Sequence, residues 1–455
     1  MFGLRVLRQC QLAVWAVLAL VVTAPAVAGV FNPEVFTLAN GMQVVVIPNH
    51  RIPAVTHMVW YKIGAADEAA GKSGIAHFLE HLMFKGTENA PGGTFSELVA
   101  RNGGRENAFT TQDTTGYYQS VAVDRLEVMM RLEADRMINL AITEEEVETE
   151  RGVVLEERRA RIDNDPEALL GEQVRAALYM NHPYGRPIIG WEHEIENLSA
   201  ADARDFYRRY YAPNNAILVV AGDITAAQLR PLAEKYYGVI PAREIPPRIR
   251  PQEPVQHAHR RVVLTSAQVR QPAWSRRFLA PSYNAGVSEH AYALEVLAEL
   301  LGGGTTSRLY RALVVEGKLA AVAGAGYGPD KLDLSSFALY GRPRPDTDVA
   351  ELEAAMEAEI ARLIEHGVDR QEVERAKKRL QADAVYARDS LQAGARVLGM
   401  ALATGSTVAD VEAWPERIAA VTVDQVNAAA RAVLRADHGV TGVLLPEESG
   451  PEGRR

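Results

Sequence analysis

Apolar residues recur along this chain in two rhythms. "MQVVVIP" (Met42–Pro48), "VTHMVWYKI" (Val55–Ile63) and "NNAILVVAGDI" (Asn214–Ile224) are short, nearly continuous apolar runs rich in β-branched residues, and they predict strands. Elsewhere the spacing becomes helical. In "SGIAHFLEHLMFKG" (Ser73–Gly86), Ile75, Phe78, Leu79 and Leu82 share one face, Ser73 is placed to cap the start and Gly86 to end the helix. "ITEEEVETERGVVLEERRARIDNDP" (Ile142–Pro166) predicts a second helix, opened by a capping box of Thr143 and Glu146 and closed by Pro166.

The order of elements then repeats. "ITEEEVETERGVVLEE" (Ile142–Glu157) resembles "VDRQEVERAKKRLQAD" (Val368–Asp383). The helix-to-strand passage Ile195–Asp223 resembles Arg417–Pro446 in the same way. The pattern predicts an α+β protein built as a tandem duplication, each half a mostly antiparallel sheet with helices on one side. The proline-rich "IPAREIPPRIRPQEP" (Ile240–Pro254) cannot hold a helix and reads as a linker. The boundaries expected are a first domain over 29–239, a linker over 240–258, a second domain over 259–446 and a disordered tail over 447–455. A length of 455 residues accommodates two such domains.

The first 28 residues follow a different logic. Arg5 and Arg8 precede the apolar run Leu12–Val22, and Ala26-Val27-Ala28 follows it, the layout of a secretory signal cut after Ala28. The run is short for a membrane span. This predicts export across a bacterial inner membrane, most simply to the periplasm, with no membrane attachment after cleavage. Cys10, the single cysteine, lies in this leader, so the mature chain has neither disulfides nor thiolate ligands. A formal net charge of -9 argues against a nucleic-acid binder.

That charge leaves the candidate chemistry to histidines and carboxylates. His77 and His81 stand four apart on one helix face, with Glu80 beside them. Such a pair suits a tetrahedral zinc, and the adjacent carboxylate can take a proton from a water whose pKa the metal lowers to about 7. His-x-x-Glu-His is the inverted form of the common zinc-protease motif. An ordinary helix with two exposed histidines gives the same pattern, so a third ligand decides. On the second helix Glu150 and Glu157 are seven apart and share one side, next to Val147, Val153 and Val154, whereas Glu144, Glu145 and Glu148 read as a solvated face and Glu156 points elsewhere. A carboxylate on a half-apolar side needs a partner.

His77-x-x-Glu80-His81 followed by Glu157 resembles the pitrilysin-type (M16) metallopeptidases, the group of insulin-degrading enzyme and the mitochondrial processing peptidase. The similarity extends over nearly the whole mature chain, through "VVVIPNHRIPAVTHMVWYKIGAADE", "SGIAHFLEHLMFKGTEN", "NGGRENAFTTQDTTGYY" and "ERGVVLEE". It implies that His77, His81 and Glu157 bind one zinc ion per chain, that Glu80 is the general base and that Glu150 orients a ligand histidine. It also implies a substrate peptide lying as an added β-strand beside Asn107, Ala108 and Phe109, within a chamber of which this chain forms half of the clamshell.

The second half carries no such motif. Its counterparts of Glu150 and Glu157 are Ala376 and Asp383. In single-chain relatives an arginine and a tyrosine seven residues apart in this half hold the substrate carbonyl, but here those positions fall on Val314 and Ala321, while Arg308, Tyr310 and Tyr327 have the wrong spacing. The departure implies a zinc-bearing subunit that pairs with a homologous metal-free chain supplying the arginine and tyrosine, with a homodimer as the alternative. A non-catalytic assembly or peptide-binding subunit that retains a metal site is the reading from a different class. "GGGTTS" (Gly302–Ser307) lacks the lysine of a phosphate loop, and His257-Ala258-His259 lacks a nearby carboxylate.

Overall fold

The computed structural model describes residues 29–447; the leader read at 1–28 and residues 448–455 lie outside them. Eleven strands form two mixed sheets. The first is built from β1 (Glu34–Thr37), β2 (Gln43–Pro48), β3 (Ala54–Tyr61), β4 (Arg105–Thr110), β5 (Thr115–Ala122) and β6 (Ala216–Gly222), in the order β1-β2-β6-β3-β5-β4. The second is built from β7 (Arg260–Ser266), β8 (Ala273–Ala280), β9 (Ala320–Tyr327), β10 (Ser335–Pro343) and β11 (Val440–Pro446), in the order β7-β11-β8-β10-β9.

The duplication is visible in this order. Dropping β1, each strand of the first sheet has a counterpart in the second: β2 with β7, β6 with β11, β3 with β8, β5 with β10 and β4 with β9. Directions agree as well. β2 and β6 pair parallel, as do β7 and β11, and the remaining pairs are antiparallel. Each half thus closes with a strand that returns parallel beside its first long strand.

Both sheets bury two faces, which explains the unbroken apolar run of β6. Helices of the same half cover one face. The other face is covered by a helix from the opposite half, an exchange the sequence pattern does not reveal. Ala395, Leu398 and Ala403 of the helix Leu391–Ala403 pack on Val45, Trp60, Ile217 and Val219 of the first sheet. Reciprocally, Leu170, Val174 and Leu178 of the helix Pro166–Leu178 pack on Val440 and Leu444 of the second.

Gly399 allows the first of these contacts. A Cβ there would lie 2.1 Å from Trp60 Nε1 and 2.2 Å from its Cε2. Gly399→Val is expected to lift the helix off the sheet and cost about 1–3 kcal/mol, the usual range for overpacking. A thermal melt with no loss of stability would show that the two halves do not lean on this seam.

The proline-rich stretch runs as extended chain without helix or strand, yet it is pinned. Arg250 reaches Asp67 at 2.8 Å and Asp113 at 2.5 Å in buried ion pairs, and the partly exposed Asp333 at 2.9 Å, joining the two halves. Arg248 adds a 2.7 Å contact to Asp67. No helix of the described residues is long and apolar enough to cross a membrane.

Candidate metal centre

The helix Ile75–Leu82 carries His77, Glu80 and His81. Its start differs from the serine cap expected from sequence. Ser73 Oγ accepts instead from the Trp191 N–H at 2.9 Å, and the Glu68 carboxylate takes the amides of Gly74 and Ala76 at 3.0 and 2.9 Å. A carboxylate at a helix N-terminus gains from both the free amides and the dipole. The helix also stops at Leu82, ahead of Gly86, whose φ of 125° follows a further turn.

Gly74 (φ 90°) and Gly190 (φ 95°) hold this helix against its neighbours. A Cβ on Gly74 would meet Ile189 O at 2.5 Å, and one on Gly190 would meet Ser73 O at 2.5 Å. Two bare α-carbons therefore let the 187–190 segment cross the start of the metal helix. Gly190 O in turn accepts from Arg158 Nη1 at 2.9 Å, and Arg158 is held by Glu172 at 2.9 and 3.0 Å. The residue after Glu157 is thereby tied to the helix of the histidines.

Glu150 and Glu157 lie on the helix Glu144–Arg158, which opens with the expected capping box: Glu146 N–H to Thr143 Oγ1 at 3.2 Å and Thr143 N–H to the Glu146 carboxylate at 3.1 Å. Val147 and Val154 are buried beside them. Val153, placed on that side by sequence, is 47% exposed, because the inward stripe is narrower than the apolar run.

The ligand atoms converge. His77, His81 and Glu157 each offer one atom, all within 4.8 Å of one another, the only such trio of potential ligands among the described residues. Glu157 Oε2 stands 3.2 Å from His81 Nε2 and 3.6 Å from His77 Nε2. It is buried without a hydrogen bond, as is His77 Nδ1. An anionic oxygen left in that state is costly, and a divalent cation between it and two imidazoles removes the cost. Two nitrogens and one oxygen suit zinc, so the residues fit the ion. His259, by contrast, bonds Thr441 at 2.8 Å.

Surrounding groups set the charge of each donor. Glu150 Oε1 is 2.8 Å from His81 Nδ1, and Lys85 Nζ contacts Glu150 Oε2. That contact fixes the His81 ring with Nε2 directed toward Glu157. Burial opposes charge on His81, but the carboxylates of Glu150 and Glu157 outweigh it and push its pKa up to about 9. Burial, with the nearby His81, brings His77 down to about 4. His81 is the main influence holding Glu157 below the usual carboxylate range, against burial. Arg161 Nη1 secures Glu157 Oε1 at 2.5 Å. Glu80 is 9% exposed, and burial pushes its carboxyl up to about 6 despite the hydrogen bond from Thr110 Oγ1 to Oε2 at 2.5 Å.

β4 is the edge of the first sheet and pairs only with β5. The Thr111 N–H bonds Thr114 O at 2.8 Å, and alternation from that pair turns the N–H and C=O of Ala108 and Thr110 toward the open edge. Ala108 N–H is accepted there by the Asn107 side chain at 2.8 Å. The Ala108 and Thr110 side chains face the metal helix. The Phe109 ring packs on the other face, 4.9 Å from Trp60 and 4.8 Å beneath the Arg396 guanidinium, so it anchors the strand. All of Asn107, Ala108, Phe109 and Thr110 border one cleft of about 990 Å³ with His77, Glu80, His81, Glu150 and Glu157.

Sequence reasoning missed Thr110, Lys85 and Arg161. Lys85 and Arg161 each follow a named residue by four positions, a usable signal, whereas Thr110 reaches Glu80 only through the fold. From the second half, Arg277 alone borders the cleft among the described residues. Val314 is buried, Tyr327 bonds Pro281 O, and Arg308 pairs with Glu372 at 2.5 Å, each within its own half.

Comparison with known proteins identifies the family. Residues 43–192 match the insulinase family (peptidase family M16), and residues 197–380 match the peptidase M16 inactive domain. The zinc protease PqqE of Helicobacter pylori is 33% identical over 373 residues, covering 81% of this chain and 82% of that protein. An uncharacterized zinc protease of Mycobacterium leprae is 31% identical over 91% of this chain and 92% of its own length. Among solved structures, a protease from Helicobacter pylori superimposes with a TM-score of 0.85 at 30% identity, over 91% of this chain and 99% of that one. The periplasmic protease PqqL from Escherichia coli shares the fold, with a TM-score of 0.77 at 23% identity over 91% of this chain and 47% of that one. The chain belongs to peptidase family M16.

Proposed function

We propose that this chain is the zinc-bearing subunit of an endopeptidase that cuts peptides or unfolded segments held as an added strand on β4. The convergence of His77, His81 and Glu157 beside that open edge, with Glu80 between them, carries the reading. The chemistry zinc supplies at such a site is Lewis acidity toward water and a peptide carbonyl.

The protein's own groups do the rest. Glu80 Oε2 is engaged by Thr110, which leaves Oε1 to take the proton of the attacking water and return it to the leaving amine. A carboxyl near pKa 6 holds and releases a proton within the neutral range. Lys85 and Glu150 keep His81 in one orientation throughout. The edge amide and carbonyl of Ala108 and Thr110 bind the substrate backbone once the Asn107 side chain yields. Ala108→Pro deletes one edge donor without touching the β5 ladder, so kcat/KM is expected to fall about tenfold with little change in melting temperature. An unaltered kcat/KM would remove β4 from the substrate site.

The second half gives the cleft a single side chain, and no arginine–tyrosine pair reaches it among the described residues. This supports a shared active site, completed by a homologous metal-free chain that supplies those residues and closes the chamber. The leader further supports action in the periplasm. The test is turnover of a quenched peptide library by the mature chain alone and with the metal-free homologue. Turnover only with the partner fits the proposal. Full activity alone argues for a homodimer or a self-sufficient chain, and silence in both arms favours an assembly subunit.

A further inference from the structure

The metal cleft is lined by more carboxylates than cations, yet two of its guanidiniums have no carboxylate partner. Glu150 is engaged by His81 and Lys85, Glu157 by Arg161, Glu172 by Arg158 and Glu167 by Arg342. Asp165 is exposed and caps its helix through the amides of Glu167 and Ala168. Glu80 is the proton carrier. Two guanidiniums remain, Arg175 and Arg277, and neither makes a hydrogen bond or ion pair among the described residues.

Their placement is unusual for unpartnered charge. Arg277 lies on the central strand β8, between Val440 of β11 and Ala338 of β10. It alternates with the buried Arg276 and Phe278, so it faces the other way, on the side of Ala273 and Leu279, which pack under the helix Pro166–Leu178. Arg175 belongs to that helix, next to the buried Val174. Burial disfavours the Arg277 charge, and the nearby Arg175 adds like-charge repulsion. Holding two such groups in a half-buried apolar seam is costly without an anion. Arginine's planar fork is suited to a carboxylate, which would satisfy both at once. The cleft, at about 990 Å³, has room for that group together with the peptide segment on β4.

We propose that Arg175 and Arg277 form a carboxylate-binding subsite, so that the enzyme selects peptides carrying an acidic group near the scissile bond. The carboxylate belongs to an Asp or Glu side chain or to the peptide's free C-terminus. This rests on the peptidase reading, because it assigns the same cleft to substrate.

Binding rather than turnover gives the direct test. Fluorescent peptides are titrated by anisotropy into zinc-loaded Glu80→Gln chain, comparing Glu-containing peptides with Gln-matched ones, each amidated or with a free C-terminus. One carboxylate-bearing form is expected to bind about tenfold tighter or more. Which form it is separates side chain from C-terminus. The gap should collapse in Arg175→Gln and in Arg277→Gln, with partial recovery in Arg277→Lys, while binding of the uncharged peptide stays the same. Arg175 lies on a helix rather than on a central strand, so its variant keeps the test available if the Arg277 variants fail to fold. Equal affinities, no binding of any peptide, or an equal loss for charged and uncharged peptides would overturn the proposal. Library turnover by the wild type judges the peptidase reading separately, since cleavage without carboxylate preference would sink only this subsite.

Discussion

Glu80→Gln lowers peptide turnover by about 10²–10⁴-fold, the range a positioned general base contributes. The substitution is close to isosteric, so the contact with Thr110 survives and the burial of this position is unchanged. What it removes is the ability to accept a proton. Because Glu80 is not among the converging donors, zinc content should equal that of the wild type. The check is kcat on a quenched peptide together with metal analysis of the same sample. A variant that keeps more than a tenth of wild-type kcat would assign the proton transfer to another group.

The second large effect concerns the metal itself. Glu157→Gln replaces an anionic oxygen by a neutral one at one corner of the donor triangle. Its zinc affinity should fall well beyond the roughly 10–100-fold expected for Glu150→Gln, which disturbs only the orientation of His81. A competing chromophoric chelator measures both constants. Melting curves give an independent view. Zinc at about 100 times its Kd stabilises the wild type by about 2.7 kcal/mol, and Glu157→Gln should show no such rise at the same concentration. Equal zinc-dependent stabilisation of the two proteins would place the ion elsewhere.

These predictions rest on features that differ in how far the sequence discloses them. His77, Glu80 and His81 are legible because helical spacing is local: four residues make one turn, and the turn defines the face. Glu150 and Glu157 follow from the same rule applied over seven residues, although assigning Glu157 to the metal needed the family resemblance, since nothing local says which helix faces which. The duplication was also readable, and the matched strand orders of the two sheets bear out the α+β tandem architecture.

The remainder depends on contacts distant in sequence. Glu68 replaces Ser73 as the helix cap because the 65–68 turn folds back over the amides. Gly74 and Gly190 show their purpose only when the two segments cross. The helix exchange between the halves is invisible to periodicity, because an amphipathic helix does not declare which sheet it covers. Arg277 reads as one polar position in an alternating strand until the fold places it in the metal cleft.

The most direct measurement of the central claim is zinc-dependent cleavage by the purified mature chain, stripped by chelator and then titrated with zinc, with products identified by mass spectrometry. Cleavage of internal peptide bonds is expected to return in proportion to zinc bound, saturating at about one ion per chain, in the chain alone or after addition of its metal-free homologue. Stoichiometric zinc binding with no internal cleavage in either arm would contradict the claim.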